Sequence, residues 1–366
     1  ELPAAQVVPA LIQALHDERI AVRVAAARAL GEVGSRAVVA VPTLVQALAH
    51  PDPEMRVVAA QALGAIGAGS VEAIPALIET LQDQDAHMRQ VAAEALGDIG
   101  PDAVQAVPAL IERLEDEEAC VRASAMRALG DIGPDAVTAT PALIPALADE
   151  EMYQAAAFAL VNIGVDGVET VPALVRALES APASVRQRAA EALRSMGLGM
   201  GPGTAQAVPA LVRALQDQDA EVRAAAASAL GSVGSRTGKV VPSLVRALED
   251  AQAQVRKNAA WALASIRPEA AQAVPALIQA LGDQDEAVRI AAVHALKAIG
   301  PEAVEAVPAL IRTLADPDKS TREAAAIALG TMGSGAPQAV PALVQALQSQ
   351  DWDMRQAAAR ALENVG

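Results

Sequence analysis

The sequence predicts an all-α solenoid, a right-handed superhelix of eleven two-helix repeats of about 33 residues each. Three observations carry that expectation. The phrase Val8-Pro9-Ala10-Leu11-Ile12-Gln13-Ala14-Leu15 returns with variation at Val41, Ile74, Val107, Thr140, Val171, Val208, Val241, Val274, Val307 and Val340. Its spacing is 33 residues except for 31 after Thr140 and 37 after Val171, and a fixed period of this size marks an array whose units pack only on their neighbours. Within a unit the apolar residues recur at helical spacing. Finally, 53% of the 366 residues are hydrophobic but only 1% are aromatic, which argues against β-sandwiches, base-stacking RNA platforms and aromatic sugar clefts.

The unit from Pro101 to Gly133 shows how each element arises. Pro101 suits a first helical turn, and Val104, Val107, Leu110, Ile111 and Leu114 then line one face of helix A. Pro108 lacks a backbone donor and is expected to bend that helix near its middle, as is the matching proline in all eleven units. The acids from Glu115 to Glu118 suit the positive start of helix B. Helix B runs from about Ala119 to Ile132, with Val121, Ala125, Ala128, Leu129 and Ile132 as its stripe and Gly133-Pro134 as its stop. Neither helix buries its face alone. Stacked pairs bury a continuous core, and small alanines let helix axes approach to ~8–10 Å.

The Thr-Pro-Leu-His signature of ankyrin arrays and the Trp and Tyr of tetratricopeptide units are missing. The unit instead resembles the HEAT repeat, in the short form known from phycobilin lyase subunits and designed consensus arrays. The resemblance rests on the helix-A proline, the loop Asp, and Val-Arg followed by Ala-Ala and Ala-Leu-Gly, as in the run from Val222-Arg223 to Leu230-Gly231, and it covers nearly the whole chain. It implies a structural ladder of helix-B arginines: Arg23, Arg56, Arg89, Arg122 and Arg186, then Arg223, Arg256, Arg289, Arg322 and Arg355. Their expected partners are loop acids such as Asp83, Asp116, Asp217, Asp250, Asp283 and Asp316, because planar guanidinium forks suit carboxylates.

Two units depart from the pattern. The fifth loses two residues and puts Tyr153 in the arginine's place, so the ladder is expected to break there. The sixth inserts a glycine-rich run from Met196 to Thr204. That run follows a helix rather than a strand, which speaks against a phosphate cradle. It is read as a loop over 197–204 that divides a single array, 1–366, into 1–197 (repeats 1–6) and 205–366 (repeats 7–11).

No catalytic, cofactor or metal site is expected. His16, His50, His87 and His294 do not converge by sequence, the His-Glu dipeptides of the HEAT-repeat enzyme deoxyhypusine hydroxylase do not occur, and Cys120 has no histidine nearby. The surface is more informative. Counted from the helix-B arginine, the apolar stripe takes offsets −1, +3, +6, +7 and +10, so +1, +5 and +9 are expected to line a concave face. Residues at +5 differ between units, among them Arg127, Phe158, Trp261, His294, Ile327 and Arg360. Such variation over a constant core suits recognition, and drift at unconstrained positions gives the same pattern. Trp261, His294 and Ile327, with Ile290 from +1, form a candidate apolar patch anchored by the indole. Glu94, Asp98 and Asp131 make the third and fourth units acidic, suiting a basic segment of a partner. Phe158 is open between core and surface, and Trp352 between exposure and covering the last repeat.

The charge of −16, from 44 acids against 28 Lys and Arg, repels nucleic acid and anionic membrane. A single cysteine suits a reducing compartment, here the cytoplasm. The expected function is a non-enzymatic protein-protein interaction scaffold that binds a protein or peptide without cofactors. Runner-up readings are a phycobilin-lyase-like chromophore-handling factor and an engineered array without a natural partner. No polar caps are recognisable at Glu1 and Gly366, so the expectation is a piece cut from a longer chain, a processed chain or an engineered array, with possible end-to-end self-association through exposed terminal faces.

Overall fold

The computed structural model describes residues 4–164, 169–198, 206–233 and 239–365. Among these residues there is no strand, and paired helices repeat along the chain as an all-α solenoid. The chain divides into two compact units, Glu1–Ala173 and Leu174–Gly366. That division falls inside the helix Thr170–Ser180, ahead of the loop expected at 197–204, of which residues 199–204 lie outside the described residues.

Helix A differs from its expected form. In the fourth repeat it consists of a 3-10 leg, Gly100–Ala106, followed by a short α-helix, Val107–Glu112. The break lies at Ala103 (φ −85°, ψ 17°), and Pro108 sits in the first turn of the α-helical leg rather than at a mid-helix bend. The reason is local. Pro108 has no N–H for the carbonyl of Val104, so an α ladder cannot cross this point, whereas the Val107 N–H reaches Val104 with 3-10 spacing. The first repeat keeps a continuous helix, Ala4–Ala14, with Pro9 inside it.

Helix B is as expected, for example Ala119–Ile132, Ala220–Val233 and Glu286–Ile299. Asp52, Asp85, Asp285 and Asp318 cap its start by accepting backbone N–H groups, which satisfies donors that the first turn leaves orphaned. Gly133 ends it at φ +79°, a conformation that other residues adopt at a cost. The eighth repeat has Arg267 at this place, at φ 62° and ψ −129°. Strain of this kind costs about 1–3 kcal/mol, so Arg267→Gly is expected to raise stability by about 1 kcal/mol after allowance for unfolded-chain entropy. Hydrogen exchange of the helix Ala253–Ile266 measures it; unchanged protection there would show that the strain is relieved elsewhere.

Within each unit, helix B packs on the helix B of the next repeat, and the 3-10 legs form a second layer of neighbours. Leu96 and Leu129 on helix B, and Leu77 and Leu110 on helix A, are fully buried between the layers. The helix-B contact is close because glycine faces alanine. A Cβ on Gly97 would lie 3.0 Å from the Ala128 Cα, and one on Gly231 would lie 2.8 Å from the Ala262 Cα. One helical stretch among the described residues, Pro53–Thr80, is long and apolar enough to cross a membrane, but 56% of its apolar window is buried within the stack.

Candidate functional site

The ladder closes at half of its expected rungs. Arg89 clasps Asp116 with Nε to Oδ2 and Nη2 to Oδ1, both at 2.8 Å. The same two-pronged geometry joins Arg186 to Asp217, Arg223 to Asp250, Arg256 to Asp283 and Arg289 to Asp316. Each of these guanidiniums also donates Nη1 to its own loop, as Arg89 does to the carbonyls of Asp83 and Gln84. Each aspartate accepts the N–H two residues on, as Asp116 does from Glu118. The arginine thus ties its own loop to the loop of the next repeat. The side-chain hydrogen bond from Arg89 holds the Asp116 carboxyl below the usual range despite its burial.

Arg23, Arg56, Arg122, Arg322 and Arg355 form the loop contacts but clasp no aspartate among the described residues. The expected ladder is corrected at these places, for reasons of register. Asp149 stands at the matching position for Arg122, but the two-residue deletion of the fifth repeat falls between it and helix B, Arg322 faces a repeat with Ser349 at the aspartate position, and Arg355 lies in the last repeat. Arg56 leaves its buried Nε without a partner although Asp83 stands at the matching position. Arg23 meets His50, whose Nε2 is 3.4 Å from Nη2 while its Nδ1 accepts from the Asp52 N–H at 3.0 Å. A neutral imidazole accepting at Nδ1 carries its proton on Nε2, so two donors face each other. His50→Asp is expected to close the rung and stabilise the first two repeats by about 1–2 kcal/mol. Thermal unfolding checks this, and no gain would mean that the loops are out of register.

On the helix-B face the +5 track is exposed or half-exposed throughout, as its offset requires. Trp261 is 43% and Ile327 41% exposed, and the His294 ring stacks on the indole with centroids 4.9 Å apart and planes at 26°. Ile290 is half-buried beside them in sequence register, and Arg360 is exposed. Burial, then the nearby Lys297, lowers the His294 pKa, which keeps the stacked ring neutral at pH 7. In the first unit Phe158 is exposed rather than core, its ring lying over Gly130, and it lines a shallow cleft with Arg127, Asp131, Gln154 and Ala155. Asp98 and Asp131 have raised pKa values, chiefly from burial and then from neighbouring acids, Glu94 for the first and Asp98 for the second. Trp352 is 61% exposed at the start of its helix.

Reactive chemistry does not assemble on these faces among the described residues. Cys120 is exposed. The carboxylates of Glu323, Asp351 and Asp353 converge, but Lys319 Nζ sits among them at 3.4, 3.2 and 2.8 Å, where a cation would go. Glu1–Ala173 holds 25 acids against nine Lys and Arg, whereas Leu174–Gly366 holds 19 against 19, so the whole net charge belongs to the first unit.

The pattern of HEAT repeats matches residues 41–130, 74–160, 107–194, 140–215, 171–264, 241–315 and 307–366, and that of a single HEAT repeat matches 7–37. No curated protein matches the chain. Among solved structures, Kap121p is similar at 15% identity and a TM-score of 0.72, over 100% of this chain and 46% of its own. Kap121p bound to Nup53p is similar at 15% identity and a TM-score of 0.72, over 99% and 46%. An engineered protein is 28% identical over 98% of both chains, with a TM-score of 0.46. The chain spans less than half of Kap121p, and the likeness between them is one of fold. On the strength of a repeat matched along nearly its whole length, the chain belongs to the HEAT-repeat family.

Proposed function

We propose that the chain is a non-enzymatic scaffold that grips a protein or peptide on its helix-B face, working in a reducing compartment such as the cytoplasm. The observation that carries this reading is the Trp261–His294 stack with Ile327 on the next helix. In a chain with two Trp, one Tyr and one Phe, an indole stands 43% exposed on that face. Partly exposed tryptophans on a rigid support are the usual anchors of interfaces. The acidic track of Glu94, Asp98 and Asp131 supports a second contact, with a basic segment of the partner, because burial and neighbouring acids make the charged forms of Asp98 and Asp131 unfavourable, which a partner's cations would relieve. Kap121p, whose fold is similar, is known in structures bound to Nup53p and to Pho4p.

The test is affinity capture from a native extract with the wild-type chain and with the Trp261→Ala, Ile327→Asp double variant. The expected result is loss of one or more captured proteins, since burying such an anchor is worth ~2 kcal/mol or more, about thirtyfold in affinity. Identical capture by both chains would sink the reading.

A further inference from the structure

We infer that the patch in repeats eight to ten takes a linear partner segment in which an apolar side chain is flanked by carboxylates. This rests on the helix-B face being the binding face and adds the chemistry of what binds there. Trp261 and His294 present a continuous apolar stack across two neighbouring helices, and Ile327 occupies the same place on the third. Lys257 lies one helical turn before Trp261 and Lys297 one turn after His294, so each shares a helix face with its ring. Neither lysine forms an ion pair among the described residues. Arg256 and Arg289 are clasped by Asp283 and Asp316. Glu323, at the matching place on the third helix, lies 3.4 Å from a Lys319 that it shares with Asp351 and Asp353, so the cationic border lies on the Trp261 and His294 helices and not beside Ile327.

The patch is therefore an apolar anchor site bordered by two unspent cations, in the unit that carries no net charge. Its complement is an aliphatic or aromatic side chain set between acids: the apolar group covers the stack, and the carboxylates meet the ammonium groups. The helix-B face of the first unit, with Glu94, Asp98 and Asp131, has the opposite sign. A segment suited to one is repelled by the other, which gives the two faces distinct specificities.

The experiment uses the full chain with Trp352→Phe, which leaves Trp261 as the single tryptophan. Three twelve-residue Gly-Ser peptides are titrated against its fluorescence, each with a central Phe-Leu pair flanked by Glu-Glu, Gln-Gln or Lys-Lys. Exposed pairs contribute about 0.5 kcal/mol each, so the acidic peptide is expected to bind about fivefold tighter than the neutral one and the basic peptide weaker still. In the Lys257→Gln, Lys297→Gln variant, and in 0.5 M salt, that preference is expected to vanish while binding of the neutral peptide persists. Equal affinity for all three, or preference for the basic peptide, overturns the inference and leaves the binding face itself standing. No change in Trp261 fluorescence with any peptide overturns the inference as well, while the capture experiment above still decides whether the face binds at all.

Discussion

Asp116→Ala is expected to destabilise the first unit by about 3–5 kcal/mol, because it strands a buried charge. The Arg89 side chain is 7% and the Asp116 side chain 3% exposed, and both prongs of the clasp measure 2.8 Å. Removing the carboxylate leaves the guanidinium with two carbonyls and the exposed Glu117 carboxylate at 3.9 Å, and Arg113, 3.5 Å from the Asp116 carboxylate, loses that counter-charge too. An ordinary surface pair contributes under about 1 kcal/mol; the difference is burial. The effect also carries a pH signature. Asp116 titrates lower folded than unfolded, chiefly through the bond from Arg89. The unfolded chain therefore binds more protons at acid pH, so the rung's stabilisation is complete above about pH 4 and is lost as pH falls below that. The variant is expected to start lower at pH 7 and to lose less on acidification. Hydrogen exchange in Ala86–Ile99 and Ala119–Ile132 reads the local effect, which matters because repeat arrays need not unfold as one. A loss below about 1 kcal/mol would show that the clasp breaks even against its own desolvation.

The second large effect is Gly231→Leu, expected to cost about 2 kcal/mol net. Leucine favours a helix over glycine by about 0.8–1 kcal/mol, so propensity alone predicts stabilisation. Packing decides otherwise. The first added carbon would stand 2.8 Å from the Ala262 Cα, a backbone atom that cannot rotate away, so the two helices must part. Overpacking of this kind costs about 1–3 kcal/mol and more for a branched side chain at a backbone contact. Denaturant unfolding of the full chain measures it, and a stabilised variant would mean that the helices slide apart freely.

Much of the fold was legible because it is local. The helix-B stripe, the acids at its start and its glycine stops follow from the 3.6-residue period and from the chemistry of helix ends. Helix A was misread at Pro108, since a proline within an apolar stripe looks like a kink in one helix until the carbonyl of Val104 is seen to have turned to a 3-10 partner. The candidate face was read as a set of outward offsets; the +5 side chains stand exposed or half-exposed, whereas Val24 and Ala224 at +1 are buried. The Trp261–His294 stack was not, because ring geometry depends on the offset between two helices 33 residues apart in the chain.

By itself the sequence determined the repeat, the identity of both helices, the leucine core and the supply of arginines and aspartates, all of which depend on neighbours within a turn or two. Only the tertiary structure decided which rungs close and which glycines touch a neighbouring backbone. Arg186 reaches Asp217 across 31 residues as well as Arg223 reaches Asp250 across 27, while Arg56 misses Asp83 at the standard spacing. The physical reason is that a rung requires two loops from different repeats to meet within hydrogen-bond distance, and a shift of an ångström in how the repeats stack separates a buried ion pair from an unpaired guanidinium nitrogen.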